Sequence, residues 1–371
     1  MQALILAGGE GTRLRPLTTN LPKPVVPLVN RPFVTYMLDW LGSHGVDEAV
    51  ISCGFMAQSL RSTLGVEEYK GMRLRFVEEE EPLGTAGAVK HAEAILRDRF
   101  LVLNGDILTD IDLGKLISFH EQAAAKATIA LTPVEDPSVY GLVRTRDDCG
   151  ITEFLEKPSQ SEIDTDLINA GAYVLERAVL ELVEPATNTS FEREVFPRLV
   201  GDGLYGVRAE GYWLDIGTPD RYLLGTYDIL ERKVKSWVGA QMDSSGLLVG
   251  DAVEQAADAS VVAPVVIGDR AKIAAGARIG SLAVIGNGCT VESGALVERA
   301  VVQHDTQLGP DCTVRDSIVA AGVRVGRGTH IEGGVVIGQG ATIGAGNFLT
   351  DGIRISPGVE IPAESGYALS G

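Results

Sequence analysis

The run Leu6-Ala7-Gly8-Gly9-Glu10-Gly11-Thr12-Arg13 sets three glycines and a guanidinium directly after an apolar stretch, Ala3–Leu6. Glycines there let the backbone turn sharply and approach a ligand closely. Successive N–H groups in such a turn form a nest for anions. Arg13 adds a forked donor that matches phosphate oxygens. A Walker loop is excluded because the Gly-Lys pair is missing, and a dinucleotide fingerprint because Leu14 stands where its third Gly belongs. Lys23, stiffened between Pro22 and Pro24, supplies a second cation beside the nest. Asp106 follows the apolar run Phe100–Leu103, where an α/β sheet presents its ligands, and a carboxylate is a hard ligand suited to Mg²⁺. Glu156-Lys157 pairs a hydroxyl acceptor with a phosphate-binding cation. Taken singly, each feature also fits a plain structural role: a tight turn, a solvated lysine, a cap, an exposed ion pair.

The elements that must carry these residues fall into two grammars. Up to about residue 235, short apolar runs (Ala3–Leu6, Ala49–Cys53, Leu74–Val77, Phe100–Leu103, Thr128–Leu131, Ala172–Leu175) alternate with helical patterns. Phe33, Met37, Trp40 and Leu41 mark one such helix, with Pro32 in its first turn and Gly45 as its stop. Alternating strands and helices predict a Rossmann-like mixed, mostly parallel α/β sheet covered on both faces. From about Val261 apolar residues recur every sixth position, as at Ile267, Ile273, Ile279 and Ile285. The phase slips by one residue before Val302 and again before Val319. A period of six fits neither helix nor simple strand but a solenoid with one short strand per flat face. The branched residue points inward, a small residue fills each corner, and the Gly that often follows allows the turn. The expected organisation is a catalytic domain over 1–235, a linker over 236–260 and a β-helix over 261–362.

Composition narrows the partners. A net charge of −18 argues against nucleic acid and anionic membranes, which require a basic face. No apolar run approaches the ~20 residues of a membrane span, and the N-terminus is no signal peptide, so a cytoplasmic address is expected. The four cysteines (53, 149, 289, 312) lack zinc spacing and read as reduced thiols, Cys289 and Cys312 at corners of the solenoid.

The segments Gly8-Gly9-x-Gly11-Thr12-Arg13-Leu14-x-Pro16-Leu17-Thr18 and Pro22-Lys23-Pro24 together resemble the signature of the sugar nucleotidyltransferases. Glu81–Ala86, Asn104-Gly105-Asp106, Tyr140-Gly141, Phe154–Pro158, Asn169-Ala170-Gly171 and Trp213–Gly217 follow in that family's order, across the whole N-terminal half. The hexads resemble the left-handed β-helix that is common after that domain. The resemblance implies a reaction between a sugar 1-phosphate and a nucleoside triphosphate, yielding an NDP-sugar and pyrophosphate. It implies Mg²⁺ held by Asp106 and Asp215, catalysis by Arg13, Lys23 and Asp106, and a nucleotide site at Leu6–Gly9, Gly11–Arg13, Glu79, Gly84 and Thr85. The sugar phosphate would meet Gly141, Glu156, Lys157, Asn169 and Gly171. Counting back from Gly84, Glu79 stands where relatives that use uracil or thymine often carry Gln. A carboxylate can accept from guanine N1–H and its amino group, which favours GTP, with Glu80 or Glu81 as substitutes after a small loop shift. Glu79–Gly87, Ile168–Gly171 and Ser190–Pro197 most resemble members that use mannose 1-phosphate.

The alternatives are a uridylyl-, thymidylyl- or adenylyltransferase acting on glucose 1-phosphate, and a non-catalytic regulatory subunit. A further one is an enzyme whose solenoid also transfers acyl groups through His304 or His330; the other histidines (44, 91, 120) read as surface or helix residues. The flat faces and open ends of a solenoid favour a homo-oligomer with β-helix contacts.

Overall fold

The computed structural model describes residues 1–54, 56–65 and 67–364; the side chain of Glu156 lies outside what it describes. The chain forms two compact units. One comprises Met1–Gly9 and Met37–Trp213, the other Glu10–Tyr36 and Leu214–Gly371.

The first unit is built on a mixed ten-stranded sheet. Its strands include β1 (Gln2–Leu6), β2 (Glu48–Cys53), β3 (Met72–Glu78), β4 (Arg99–Asn104) and β5 (Ala127–Pro133). They continue with β6 (Gly141–Thr145), β7 (Ile151–Glu156), β8 (Leu167–Glu176) and β9 (Leu204–Arg208). The order is β7-β6-β8-β4-β1-β2-β3, with β5 joined to β8 and β9. The segment β4-β1-β2-β3 is parallel, while β8 runs antiparallel to β4 and β5. Every residue of β2 is buried, and β1 and β4 are buried along nearly their whole length, as sheets covered on both faces require. Helices over Val34–Ser43, Ala57–Leu64, Gly84–His91 and Leu113–Gln122 follow the strands in alternation. The first begins after Pro32 rather than with it in its first turn. Arg31–Pro32 pairs as a short strand with Pro27–Leu28, and Gly45 takes a left-handed φ of 75° beyond the helix end.

In register, Leu6 lies beside Ser52 and Asn104, and Cys53 beside Glu78. The parallel strands thus deliver their carboxyl ends along one edge, where such sheets bind ligands.

The second unit carries the left-handed parallel β-helix, three sheets of seven, seven and six short strands. The ladder already starts at Leu247–Val249, Glu254–Gln255 and Ser260–Val261, within the stretch expected as a linker. That first coil bears exposed Gln255 where later coils carry Ile273, Val291 and Leu308, so the six-residue apolar period is broken there. The inward column (Ile267, Ile273, Ile279, Ile285, Val291, Val297) and the small corner residues (Ala271, Ala277, Cys289, Ala295) form one buried core. Both phase slips occur at the same corner. Ile267 pairs with Ile285, eighteen residues on, but Ile285 pairs with Val302, seventeen on. The two shortened corners stack, and Arg299 Nε meets Asp316 Oδ1 at 2.7 Å.

The glycines that follow the inward residues do not make the turn. Gly268, Gly309 and Gly338 avoid the left-handed region, and a Cβ on them would come within 2.6–2.7 Å of backbone atoms of the next coil. Close stacking of coils demands glycine there. The turn falls three residues after the inward position, at Gly288, Gly294 and Gly340, with φ of 66°, 72° and 69°.

Candidate active site

In the first unit the motifs converge on the carboxyl ends of β1, β2, β3 and β4. The backbone continues from Leu6 with Ala7 N donating to Ser52 O at 2.8 Å, and Gly105 N donates to Leu6 O at 2.9 Å. Glycine is required at 105, because a Cβ would sit 2.5 Å from Leu6 O. Gly171 has a left-handed φ of 70°, and a Cβ there would stand 2.6 Å from Asn104 Nδ2. Asn104-Gly105-Asp106 and Asn169-Ala170-Gly171 are therefore packed against each other, and Gly105 against the first loop. Asp106 is half-buried at this edge.

Glu79 is the half-buried member of its acidic neighbourhood; Glu78, Glu80 and Glu81 are exposed. Its Oε1 accepts from Ser52 Oγ at 2.7 Å and its Oε2 from Leu83 N at 3.2 Å. A Cβ on Gly8 would lie 3.3 Å from Glu79 Oε1, so the bare backbone of the loop lies against the carboxylate. Gly84 takes φ 70° at the start of the helix Gly84–His91 and leaves room for Thr189 O, which accepts from Ala86 N at 2.8 Å.

The residues assigned to the sugar phosphate also group here. Gly141 and Glu156 are register partners across β6 and β7. Lys157 N donates to Tyr140 O at 2.9 Å, and this holds Lys157 at φ 52°, a conformation uncommon outside glycine. Its side chain is exposed. The Tyr140 ring meets Trp213 edge-on at 5.6 Å, and Trp213 Nε1 donates to Ala170 O at 2.8 Å.

One residue at the centre of this group carries no role in the sequence reading. Glu192 accepts from Thr85 Oγ at 3.0 Å, Ser190 Oγ at 2.7 Å and Tyr173 OH at 2.9 Å. Tyr173 in turn accepts from Asn169 Nδ2 at 2.9 Å, while Asn169 Oδ1 accepts from Gly171 N at 2.9 Å. The turn at Gly84-Thr85 and the Asn169–Gly171 segment are thus joined through one carboxylate. Burial, with Glu192 adding to it, pushes the Tyr173 phenol well above its ordinary range, so it remains a donor. The signal was present in Ser190–Pro197, a segment used only for resemblance. Thr85, expected in the nucleotide site, commits its hydroxyl to Glu192 and to Phe191 N at 2.9 Å.

The second unit holds Gly11, Thr12, Arg13, Lys23 and Asp215. Gly11 caps a single 3₁₀ turn over Thr12–Leu14 with φ 62°. A Cβ on Gly11 would stand 3.3 Å from Lys23 Cβ, so the lysine stem packs against the loop that carries Arg13. Leu14 is buried and anchors the turn, whereas Arg13 is exposed. A Cβ on Gly217 would be 3.0 Å from Arg13 Nη2 and 2.9 Å from Asp215 Oδ2. Asp215 Oδ1 is ion-paired with Arg221. Arg13, Arg221 and Asp215 therefore gather around Gly217, and the missing Cβ is what allows it.

Among the described residues, no three His, Cys, Asp or Glu side chains gather as a metal cluster. The available donors are hard carboxylate oxygens, which fit a Mg²⁺ held by one or two carboxylates and completed by substrate phosphates. The other titratable groups read as structural. His120 is buried between Thr128 and Glu176, and burial lowers its pKa. The four cysteines are free, with burial raising Cys53 and Cys289 to about 11. Among the described residues no helix is long and apolar enough to cross a membrane.

A family profile described as "Nucleotidyl transferase" matches residues 2–232, and the chain belongs to that family. It is an enzyme-family domain of the kind that its loop and strand-end carboxylates indicated. A second profile, "EIF2B subunit epsilon LbH domain", matches residues 246–349. A Mycobacterium tuberculosis protein named mannose-1-phosphate guanylyltransferase is 35% identical over 272 residues, 72% of this chain and 75% of the relative. A Candida albicans mannose-1-phosphate guanyltransferase is 43% identical over 61% of this chain and 64% of its own length. The chain thus spans three quarters of the first and under two thirds of the second. A crystal structure of HddC from Yersinia pseudotuberculosis complexed with GMP-PN is 30% identical. It covers 60% of this chain and 97% of HddC, with a TM-score of 0.53.

Proposed function

We propose that the protein joins GTP to mannose 1-phosphate, forming GDP-mannose and pyrophosphate. The observation that carries the base choice is the fixed carboxylate of Glu79, held by Ser52 and Leu83 against the glycine loop. A fixed carboxylate suits the paired N1–H and amino donors of guanine. The names of the relatives and the guanine nucleotide in the HddC complex support the same reading.

A phosphate oxygen of mannose 1-phosphate attacks the α-phosphorus of GTP, and pyrophosphate leaves. The nucleophile is already an anion at neutral pH, so the protein positions the groups and neutralises charge rather than moving a proton. Arg13 and Lys23 stabilise charge on the α-phosphate and the departing pyrophosphate. Lys157 anchors the incoming phosphate, Glu156 and Asn169 accept and orient sugar hydroxyls, and the Gly141 and Gly171 backbones close around the sugar. Gly8, Gly9, Gly11 and Thr12 offer N–H groups to the triphosphate. Asp106 and Asp215 would hold Mg²⁺, which supplies charge neutralisation on phosphate oxygens when bound.

Glu79→Gln tests the base choice. The amide retains one acceptor and presents one donor to guanine. The loss of one charge-assisted bond, about 1.5–3 kcal/mol, lowers kcat/KM for GTP roughly 10–100-fold. Steady-state rates with UTP should hold or rise. An unchanged ratio of GTP to UTP would remove Glu79 from base recognition.

A further inference from the structure

The solenoid's outer surface differs from face to face. On the sheet that starts at Leu247, Val266, Val284, Val301, Ile318, Val336 and Arg354 pair in one continuous column. Side chains alternate across a strand, and none of these six belongs to the solenoid's inner core. They point outward, yet the five apolar ones are at most 4% exposed. The equivalent outward column of the next sheet carries Lys272, Thr290, Gln307, Arg324 and Thr342, none of them buried. The apolar face is covered from within the same unit. Asn30 Nδ2 donates to Ile285 O at 2.8 Å, the Tyr227 hydroxyl to Arg299 O, and Gln303 Nε2 to the Tyr222 hydroxyl at 3.4 Å.

At the last coil the column changes from aliphatic to arginine. Arg354 Nη1 donates to Arg13 O and Arg15 O, both at 3.2 Å. These two carbonyls lie on either side of Leu14, the first on Arg13 itself and the second on the residue that closes the 3₁₀ turn Thr12–Leu14. We propose that Arg354 is a positioning residue for the nucleotidyl transfer. It clamps the backbone of the Arg13 loop and makes the final coil of the solenoid a support for the catalytic guanidinium. The proposal rests on the role given to Arg13 above. Its physical basis is geometric: a guanidinium can bridge two carbonyls and fix the chain on both sides of one residue. Small misplacements of a charge-stabilising group are costly to turnover.

The test compares Arg354→Ala, Arg354→Lys and the control Arg324→Ala in the full chain. Turnover and amide exchange of residues 10–18 are both measured. Arg354→Ala should lower kcat about tenfold, leave KM for mannose 1-phosphate within about twofold, and speed exchange in the loop. Arg354→Lys, still a donor, should recover part of kcat, and Arg324→Ala should match the wild type on both readouts. Unchanged kcat with unchanged exchange overturns the clamp. So does a rise in both KM values with kcat intact. If the wild type transfers no nucleotide to any sugar 1-phosphate, the functional reading fails and exchange alone decides. Faster exchange in Arg354→Ala then supports the clamp, and unaltered exchange overturns it.

Discussion

Replacing Arg13 by Ala should cut turnover by about 10²–10³-fold while leaving thermal unfolding close to that of the wild type. The magnitude is that of removing one preorganised charge from a phosphoryl-type transition state. The fold should survive because the structural task of the turn belongs to other atoms. Leu14 is buried, Thr18 Oγ donates to Gly11 O at 2.8 Å, and Leu14 N donates to the same carbonyl at 3.0 Å. The Arg13 side chain is exposed and reaches over Gly217 beside Asp215. Arg13→Lys keeps the charge but loses the fork, so it should fall between the two. Single-turnover rates at saturating substrate separate this effect from binding. A rate within threefold of the wild type for Arg13→Ala would end its catalytic assignment.

The second large effect should come from Glu192→Ala. The Tyr173 hydroxyl belongs to a fully buried residue and would lose the carboxylate that accepts its proton. The Thr85 and Ser190 hydroxyls would lose the same acceptor. Buried groups left unsatisfied cost about 1–3 kcal/mol each, so a loss on the order of 3 kcal/mol is expected in denaturant unfolding. Turnover should fall at least about tenfold at temperatures where the variant remains folded, since Thr85 and Asn169 are tied to this carboxylate. Glu192→Gln keeps the shape and one acceptor and should lose less on both measures. If Ala and Gln behave alike, the network is not what orders the two segments.

Much of this was legible in the chain. Near-continuous apolar runs such as Ala49–Cys53, broken only by Ser52, mark strands buried on both faces, and all six expected strands lie inside observed ones. The hexads showed the solenoid, and even its phase slips correspond to physical corners at Arg299 and Asp316. The illegible parts have physical causes. The first coil hides because Gln255 stands where the later coils carry the inward apolar residue. The grouping of Glu10–Tyr36 with the C-terminal part depends on long-range contacts such as Asn30 with Ile285, which no local pattern announces. The inter-coil glycines were read as turn formers because sequence shows residue type but not φ. Glu192 escaped because a charged residue in a segment known only by likeness looks like surface until its three hydroxyl partners are in view.

The most direct test is pyrophosphate release by the purified protein over a grid of substrates. GTP, UTP, dTTP and ATP are each offered with the 1-phosphates of mannose, glucose, galactose and glucosamine, with Mg²⁺ and in parallel with EDTA. One dominant signal is predicted, for GTP with mannose 1-phosphate, present with Mg²⁺ and abolished by EDTA. A dominant signal for UTP, dTTP or ATP with glucose 1-phosphate, or silence from folded protein across the grid, would contradict it.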